Sequence, residues 1–447
     1  MDRAVAEKKE NRFMKELIGE ESSLFVQVMR DFVDREIMPV RHLIDADSRA
    51  DFKLIEELQQ KLRALGAGAK SMLPPEYGGM GVQSLLSACV FLEELARGDA
   101  GLACASGGAG WAMRPAIAGF QQGYNTRVLD DFHEKLTGEK MYVCCFAMTE
   151  PEGGCNIENI DMHGKGIATT ARLEGDEWVI NGAKQWPTNS GISDLYCVIC
   201  QTDPKLGDEG IALIYVPVPI EGFTFGGFED KMGFRSSREG GFWFDNVRVP
   251  KEYRAAGPGK DAELLHDNLI FARAFSAGWA VGPAQGAFDE VLRFTQDRLA
   301  AGKPIRQHTI AANMLADMAI GIQVGRDCYV NAAYMYDHPE VYGPKVSAHN
   351  LSRTSIAKVF CCDTAVNVTN KAMELMGSYG YVTDNHVEKY LRDVKIIQLW
   401  EGGAQLGRMD VARGYYEYDQ FHRNQFYERV WELRDRWAQK ADVPEKV

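Results

Sequence analysis

The sequence predicts an α+β protein in which helices come first, a β-rich unit follows, and helices return. Three observations lead there. Apolar residues recur at helical spacing up to about residue 140, and short β-rich runs separated by turn pairs occupy the stretch from Met141 to about residue 255. Helical spacing then resumes after Gly257-Pro258-Gly259 and persists. Strands never alternate with helices, which argues against a doubly wound parallel sheet. The expected units are a helical domain over 1–140, an antiparallel β-barrel or sandwich over 141–255, and a second helical domain over 256–447.

Each element has its own signal. Ser22-Ser23 can cap a helix carrying Phe25, Val28, Met29, Phe32, Val33 and Ile37. Leu54, Leu58 and Leu62 mark a second helix, and Pro74-Pro75 through Gly81 is a turn-rich break before the apolar stretch 85–95. Residues 100–110 are mostly Ala, Gly and Cys, which suits either close backbone packing or open space beside a ligand. Residues 178–180 and 183–186 flank Asn181-Gly182, which predicts a hairpin because Asn-Gly fits a type I′ turn. Runs at 211–216, 223–225 and 241–249 continue the strands. Beyond the linker, Phe288, Val291, Leu292 and Thr295, then Met314, Leu315, Met318 and Ala319, repeat the helical period.

Size and composition exclude several function classes. A chain of 447 residues suggests two or three cores. Its 45% hydrophobic and 25% charged residues are values of a globular protein. A net charge of −13 without a Lys/Arg block argues against nucleic-acid binding. No run of 18 apolar residues exists, so no membrane span is expected. The first twenty residues mix Asp2, Glu7, Lys8, Lys9 and Glu10, unlike a secretory signal or transit peptide. The ten cysteines do not suggest a disulfide framework in so long a chain. Cys197 and Cys200 lie three apart in a strand-like run, face opposite sides and make a poor metal site; no metal is expected. Reduced thiols and a cytoplasmic location follow.

One stretch carries chemistry: Lys395-Ile-Ile-Gln-Leu-Trp400-Glu401-Gly402-Gly403-Ala-Gln405. A carboxylate between an indole and two glycines is sheltered from water and open to close approach by a ligand. Such shelter raises its pKa toward the range of a general base. The same residues also describe a Glu that lines a helix start. Phosphate loops fail on context, because Gly107-Gly108-Ala109-Gly110 follows a helical stretch and Gly302-Lys303 precedes Pro304.

Three further stretches stand in fixed order: Phe146-Ala-Met148-Thr149-Glu150-Pro through Cys155-Asn156, Gln185-Trp186-Pro187-Thr188-Asn189-Ser190-Gly191, and Asp230-Lys-Met-Gly-Phe-Arg235-Ser236-Ser237. With Arg273, Arg298 and the Tyr390 to Lys395 lead into Glu401, this set resembles the acyl-CoA dehydrogenase family over residues 80–415. The resemblance implies a C-terminal four-helix bundle, a homotetramer, one FAD per subunit, an acyl-CoA substrate and an electron-transfer flavoprotein as electron acceptor. By it Glu401 is the active-site base, and Trp186 and Thr188 pack on the flavin and hydrogen-bond near its N5. Phe146 opens the stretch in which Met148 and Thr149 face the pyrimidine end of the ring. Arg298 would reach the FAD pyrophosphate of a neighbouring subunit, and Gly377 and Gln405 would hold the adenosine part. Cys155, Arg273 and Gly402 fall where the family contacts substrate. Taken singly, Trp186 reads as a core aromatic and Arg298 as a surface charge; their weight comes from the ordered set.

The chain also departs from the family pattern. Ala272 occupies the position where some members carry their base, which leaves Glu401. Trp400 replaces a Tyr, Gly403 a Thr, Cys155 a Ser, Asn156 an Asp and Ala301 an aromatic residue, while Pro187 replaces an apolar residue in the flavin stretch. The small residues 103–110 match the far end of the acyl pocket, so either a wide pocket for a branched, cyclic or aromatic acyl group or tight helix packing is expected. Alternatives with the same site are an oxidase using O₂ and a decarboxylating or eliminating variant. An alternative of another class is a catalytically silent flavoprotein scaffold.

Overall fold

The computed structural model describes residues 15–154 and 166–415. Helix α1 (Lys15–Phe32) is interrupted at Gly19 and runs on into a π turn, Val33–Ile37. Ser22 and Ser23 lie inside it rather than capping it: the Ser22 hydroxyl pairs with Ser87 at 2.8 Å, and the Ser23 hydroxyl donates to Gly19 O. Helices α2 (Arg41–Asp47) and α3 (Lys53–Ala64) follow, the Asp47 carboxylate accepting the Leu54 and Ile55 N–H groups that α3 leaves unpaired. Helices α4 (Leu85–Gly98) and α5 (Ala100–Gln121) are capped by Ser84 and Asp99. Pro115 interrupts the backbone ladder of α5, and the Tyr215 hydroxyl spans the gap, accepting from Ala116 N and donating to Ala112 O. Helix α6 (Arg127–Thr137) leads to the sheet.

Seven strands form one sheet: β1 (Cys144–Ala147), β2 (Thr170–Glu174), β3 (Glu177–Gln185), β4 (Leu195–Gln201), β5 (Ile211–Pro217), β6 (Phe223–Phe228) and β7 (Gly240–Pro250). Their order is β1-β4-β2-β3-β7-β6, with β5 on β4. Most pairs are antiparallel as expected, and β4 adds parallel pairings to β1 and β2. The hairpin expected at Asn181-Gly182 is not there. Strand β3 runs straight through that pair, which forms an irregularity against β7, and the reversal falls at Gly175-Asp176. Gly182 is required by packing, since a Cβ there would lie 2.7 Å from Thr169 Cα.

Alternation along the strands builds two cores. Cys144, Phe146, Cys197 and Tyr215 face α5 and α6, while Cys145, Tyr196, Cys200 and Phe242 face the opposite side. Cys197 and Cys200 therefore point apart, and the nine cysteines among the described residues are free.

Helices α7 (Lys260–Asp297), α8 (Thr309–Asp337), α9 (Ala348–Met376) and α10 (Val387–Leu399) form the bundle, and α11 (Gly403–Gly414) closes on α9. A third core joins this bundle to α1 and α4, so the two helical ends of the chain pack together. The approach is closest at Gly282 of α7, where a Cβ would lie 2.4 Å from Glu93 O. Gly282→Ala is expected to destabilise the fold by about 1–3 kcal/mol, read as a lower denaturation midpoint.

Candidate active site

Helix α10 ends at Leu399, and the chain then takes three successive left-handed residues: Glu401 (φ 52°), Gly402 (φ 76°) and Gly403 (φ 66°). The two glycines take this conformation freely, and a Cβ on Gly402 would strike Leu406 at 2.2 Å. For Glu401 the conformation costs about 1–2 kcal/mol, which its surroundings must offset. Two buried cations do so. Arg273 of α7 donates Nη1 to Glu401 O and pairs through Nη2 with Asp410 of α11 at 3.0 Å, both side chains being 1% exposed. Lys358 of α9 donates Nζ to Trp400 O at 2.5 Å and to Glu401 O at 3.5 Å. The carboxylate is held as well: Ser276 Oγ donates to Oε2 at 3.1 Å, and Lys358 Nζ lies 3.5 Å from that same oxygen. Trp400 packs on Trp279 (ring centroids 4.6 Å apart) and Phe234 (5.6 Å).

The first two sequence stretches are fastened to each other behind this site. Lys184, at the end of β3, donates to Glu150 at 2.8 Å and to Met148 O at 3.1 Å, and Gln185 N donates to Thr149 O. Burial pushes the Lys184 ammonium below its usual range, opposed by the Glu150 charge. Glu150 also accepts the backbone N–H groups of Ala168 and Thr169. Thr-Glu-Pro and Lys-x-Trp thus work as one brace that fixes where Met148, Thr149 and Trp186 stand. Trp186 itself has φ 63° and is 55% exposed, an unusual backbone for a bulky residue and unusual exposure for an indole. The third stretch is a dock: Phe234 N donates to Asp393 of α10, and Ser236 bonds Asp99 at the start of α5.

Strand ends, α5, α7 and the α10–α11 break meet at a cavity of about 140 Å³. Its walls include Phe146, Met148, Thr149, Trp186 and Thr188 on one side and Arg273, Ser276, Trp400 and Glu401 on the other. Six of the expected cofactor and base residues are therefore brought together with Arg273. Wider cavities of about 280 and 470 Å³ lie elsewhere, but neither contains Glu401 or the Trp186–Thr188 pair. Cys104 of α5 adds a thiol 3.0 Å from Thr188 Oγ1; burial pushes it up to about 12, so it stays neutral at ordinary pH.

Other expected site residues lie apart. Arg298 ends α7, about 37 Å along the helix from Arg273 at 1.5 Å per residue, and stacks on Tyr379 at 4.8 Å. It cannot reach this cavity within one chain. Gly377, at the end of α9, adjoins that same remote corner, and Gln405 is exposed on α11. Gly402 flanks the base without lining the cavity. Cys155 and Asn156 lie outside the described residues. Among the described residues no group of three His, Cys, Asp or Glu side chains could hold a metal, and no helix is long and apolar enough to cross a membrane.

Sequence reasoning missed Lys358, Ser276, Asp410 and Phe275. Lys358 left a trace, a lone cation between Ala357 and Val359-Phe360 within an otherwise apolar run, whereas Ser276 left none.

Known proteins resemble this chain over most of its length. Sequence profiles described as acyl-CoA dehydrogenase N-terminal, middle and C-terminal domains match residues 19–121, 145–247 and 263–416. Cyclohex-1-ene-1-carbonyl-CoA dehydrogenase of Geobacter metallireducens is 34% identical over 403 residues, covering 89% of this chain and 98% of that one. Butyryl-CoA dehydrogenase from Megasphaera elsdenii superposes with a TM-score of 0.76 at 28% identity, covering 88% and 97% of the two chains. A chain solved in work on the electron transferring flavoprotein of Acidaminococcus fermentans reaches 0.78 at 28% identity, covering 89% and 98%. The fold and these relatives define an oxidoreductase acting on acyl-CoA thioesters. The chain belongs to the acyl-CoA dehydrogenase family.

Proposed function

We propose that this enzyme is an FAD-dependent acyl-CoA dehydrogenase in which Glu401 removes the α-proton of a thioester bound in the cavity it shares with Trp186 and Thr188. That shared cavity is the observation that carries the reading. The residues fit a flavin: a half-bare indole, a hydroxyl and two apolar side chains offer a flat apolar face with a polar edge. FAD bound there would accept the β-hydrogen as hydride. Trp186, Thr188, Met148, Thr149 and Phe146 would hold and orient it, Trp400 and Trp279 exclude water, and Glu401 takes up the proton. Arg273 acts through Glu401, whose carbonyl it holds. Arg298 is read as a contact to the FAD pyrophosphate of a neighbouring subunit, Gly377 and Gln405 as contacts to the adenosine part, and Cys155 and Gly402 as substrate contacts. The chain is read as three units, 1–140, 141–255 and 256–447. Purified protein should be yellow, and anaerobic acyl-CoA should bleach it. A colourless protein that cannot be reconstituted with FAD would end the proposal.

An electron-transfer flavoprotein is the proposed acceptor, supported by the neighbour from Acidaminococcus fermentans. Rapid reoxidation by air after bleaching would point instead to an oxidase. A cytoplasmic homotetramer is the proposed state. Exposed Leu299, Ile310, Ile320 and Tyr381 support assembly, since so many bare apolar groups on the bundle call for a cover. Sedimentation at the monomer mass would refute it.

A branched, cyclic or aromatic acyl group is the proposed substrate class, the cyclic member supported by the relative from Geobacter metallireducens. Residues 103–110 answer both earlier readings: Gly110 packs against Met72, whereas Cys104 and Gly108 line the cavity. The ring of Phe275 stands between this cavity and a second apolar one bounded by Met29, Phe91, Leu92 and Gly107. Phe275→Ala is therefore expected to raise kcat/KM for octanoyl-CoA relative to a cyclic substrate by ~10–100-fold. An unchanged ratio would show that Phe275 does not limit acyl length.

A further inference from the structure

We propose that Lys358 and Ser276 form a one-sided grip on the Glu401 carboxyl group that reserves Oε1 for the substrate proton, making both of them positioning residues for proton abstraction. This rests on the reading of Glu401 as the base. Both contacts fall on Oε2, at 3.5 Å from Lys358 Nζ and 3.1 Å from Ser276 Oγ, and Oε1 has no partner among the described residues. Two helices each hold both the backbone and the carboxylate of this turn. Helix α7 supplies Arg273 to the carbonyl of Glu401 and Ser276, three residues on, to its carboxylate. From α9 the single ammonium of Lys358, 1% exposed, reaches the carbonyls of Trp400 and Glu401 as well as the carboxylate. Anchoring the left-handed turn requires only the carbonyl bonds. The contacts on Oε2 immobilise a side chain instead, which is what a base needs if its other oxygen is to meet one particular C–H bond.

Several charged or titratable groups face the carboxylate or its carbonyl. Lys358 comes from α9 and Arg273 from α7, the latter backed by Asp410 of α11, which also pairs with Arg413. The thiols of Cys104 on α5 and Cys362 on α9 are kept neutral by burial. Among the described residues Lys358 is the one cation paired with the carboxylate itself. In the step, the substrate α-C–H bond breaks, an O–H bond forms at Oε1, and the electron pair remains on the thioester.

Phenylacetyl-CoA isolates that step. It has α-hydrogens and no β-hydrogen, so in D₂O the holoenzyme can only exchange the α-position, with no change of oxidation state. Lys358→Met is expected to slow exchange by ~10²-fold, because the carboxyl group loses its hold and its fixed orientation toward the C–H bond. Lys358→Arg should restore part of the rate, since a guanidinium can still hold Oε2. Ser276→Ala should slow exchange by roughly 10-fold, the loss of one hydrogen bond to a charged group. If Lys358→Met does not fold, Ser276→Ala decides alone. Exchange within twofold of wild type in these variants would overturn the grip. Exchange by Glu401→Gln at the wild-type rate would remove the base itself, a distinguishable failure.

Discussion

Glu401→Gln is expected to retain bound flavin, its visible spectrum and the folded state, and to lose reduction of the flavin by acyl-CoA by ~10²–10⁴-fold. The amide is nearly isosteric, and its oxygen can still accept from Ser276, so the left-handed turn keeps its holds on the Trp400 and Glu401 carbonyls. What disappears is the ability to accept a proton. Among the described residues no other carboxylate lines the cavity, and the thiol of Cys104 is too weakly acidic to supply a base. Stopped-flow bleaching under anaerobic conditions measures the loss. An unchanged rate would remove Glu401 from its proposed role, and a colourless variant would show that the turn, rather than the proton, had been disturbed.

Asp410→Ala is expected to cost about 3–5 kcal/mol of stability, the usual penalty for leaving one member of a buried ion pair without the other. Arg273 and Asp410 are each 1% exposed and 3.0 Å apart, so the arginine cannot turn to solvent when its partner is deleted. The paired replacement Arg273→Met with Asp410→Leu should recover most of that stability, because apolar groups of similar volume avoid the desolvation cost altogether. It should not recover activity, since the guanidinium that holds Glu401 O is gone. Denaturant midpoints set beside flavin-reduction rates distinguish the two effects. Recovery of both would mean that Arg273 serves only the fold.

Much of the architecture was legible because it depends on local periodicity. The helices containing Leu54, Leu58 and Leu62, or residues 85–95, bury a stripe that the 3.6-residue period makes visible. Turn chemistry proved less legible. Asn181-Gly182 satisfies a type I′ turn as well as any dipeptide, yet β3 passes through it, because Thr169 lies against Gly182 and the whole of β3 pairs with β7. Ser22 and Ser23 likewise satisfy the rule for a cap but bond elsewhere, one of them to Ser87 on α4. A partner distant in sequence decided each case.

For the site the division is sharper. By itself the sequence determined the order helices, sheet, helices, the family to which the chain belongs, and a carboxylate set between an indole and two glycines, all of which are written in short contiguous runs. Only the tertiary structure decided what holds that carboxylate and what surrounds it. Lys358, Ser276, Arg273 and Asp410 come from three helices and lie up to 137 residues apart, as Arg273 and Asp410 do. Trp400 packs on Trp279 beside the turn, while a buried ammonium and a hydroxyl hold the charge itself. The physical reason is that electrostatics depends on distance in space, and no local pattern encodes which distant cation will fold against a given carboxylate.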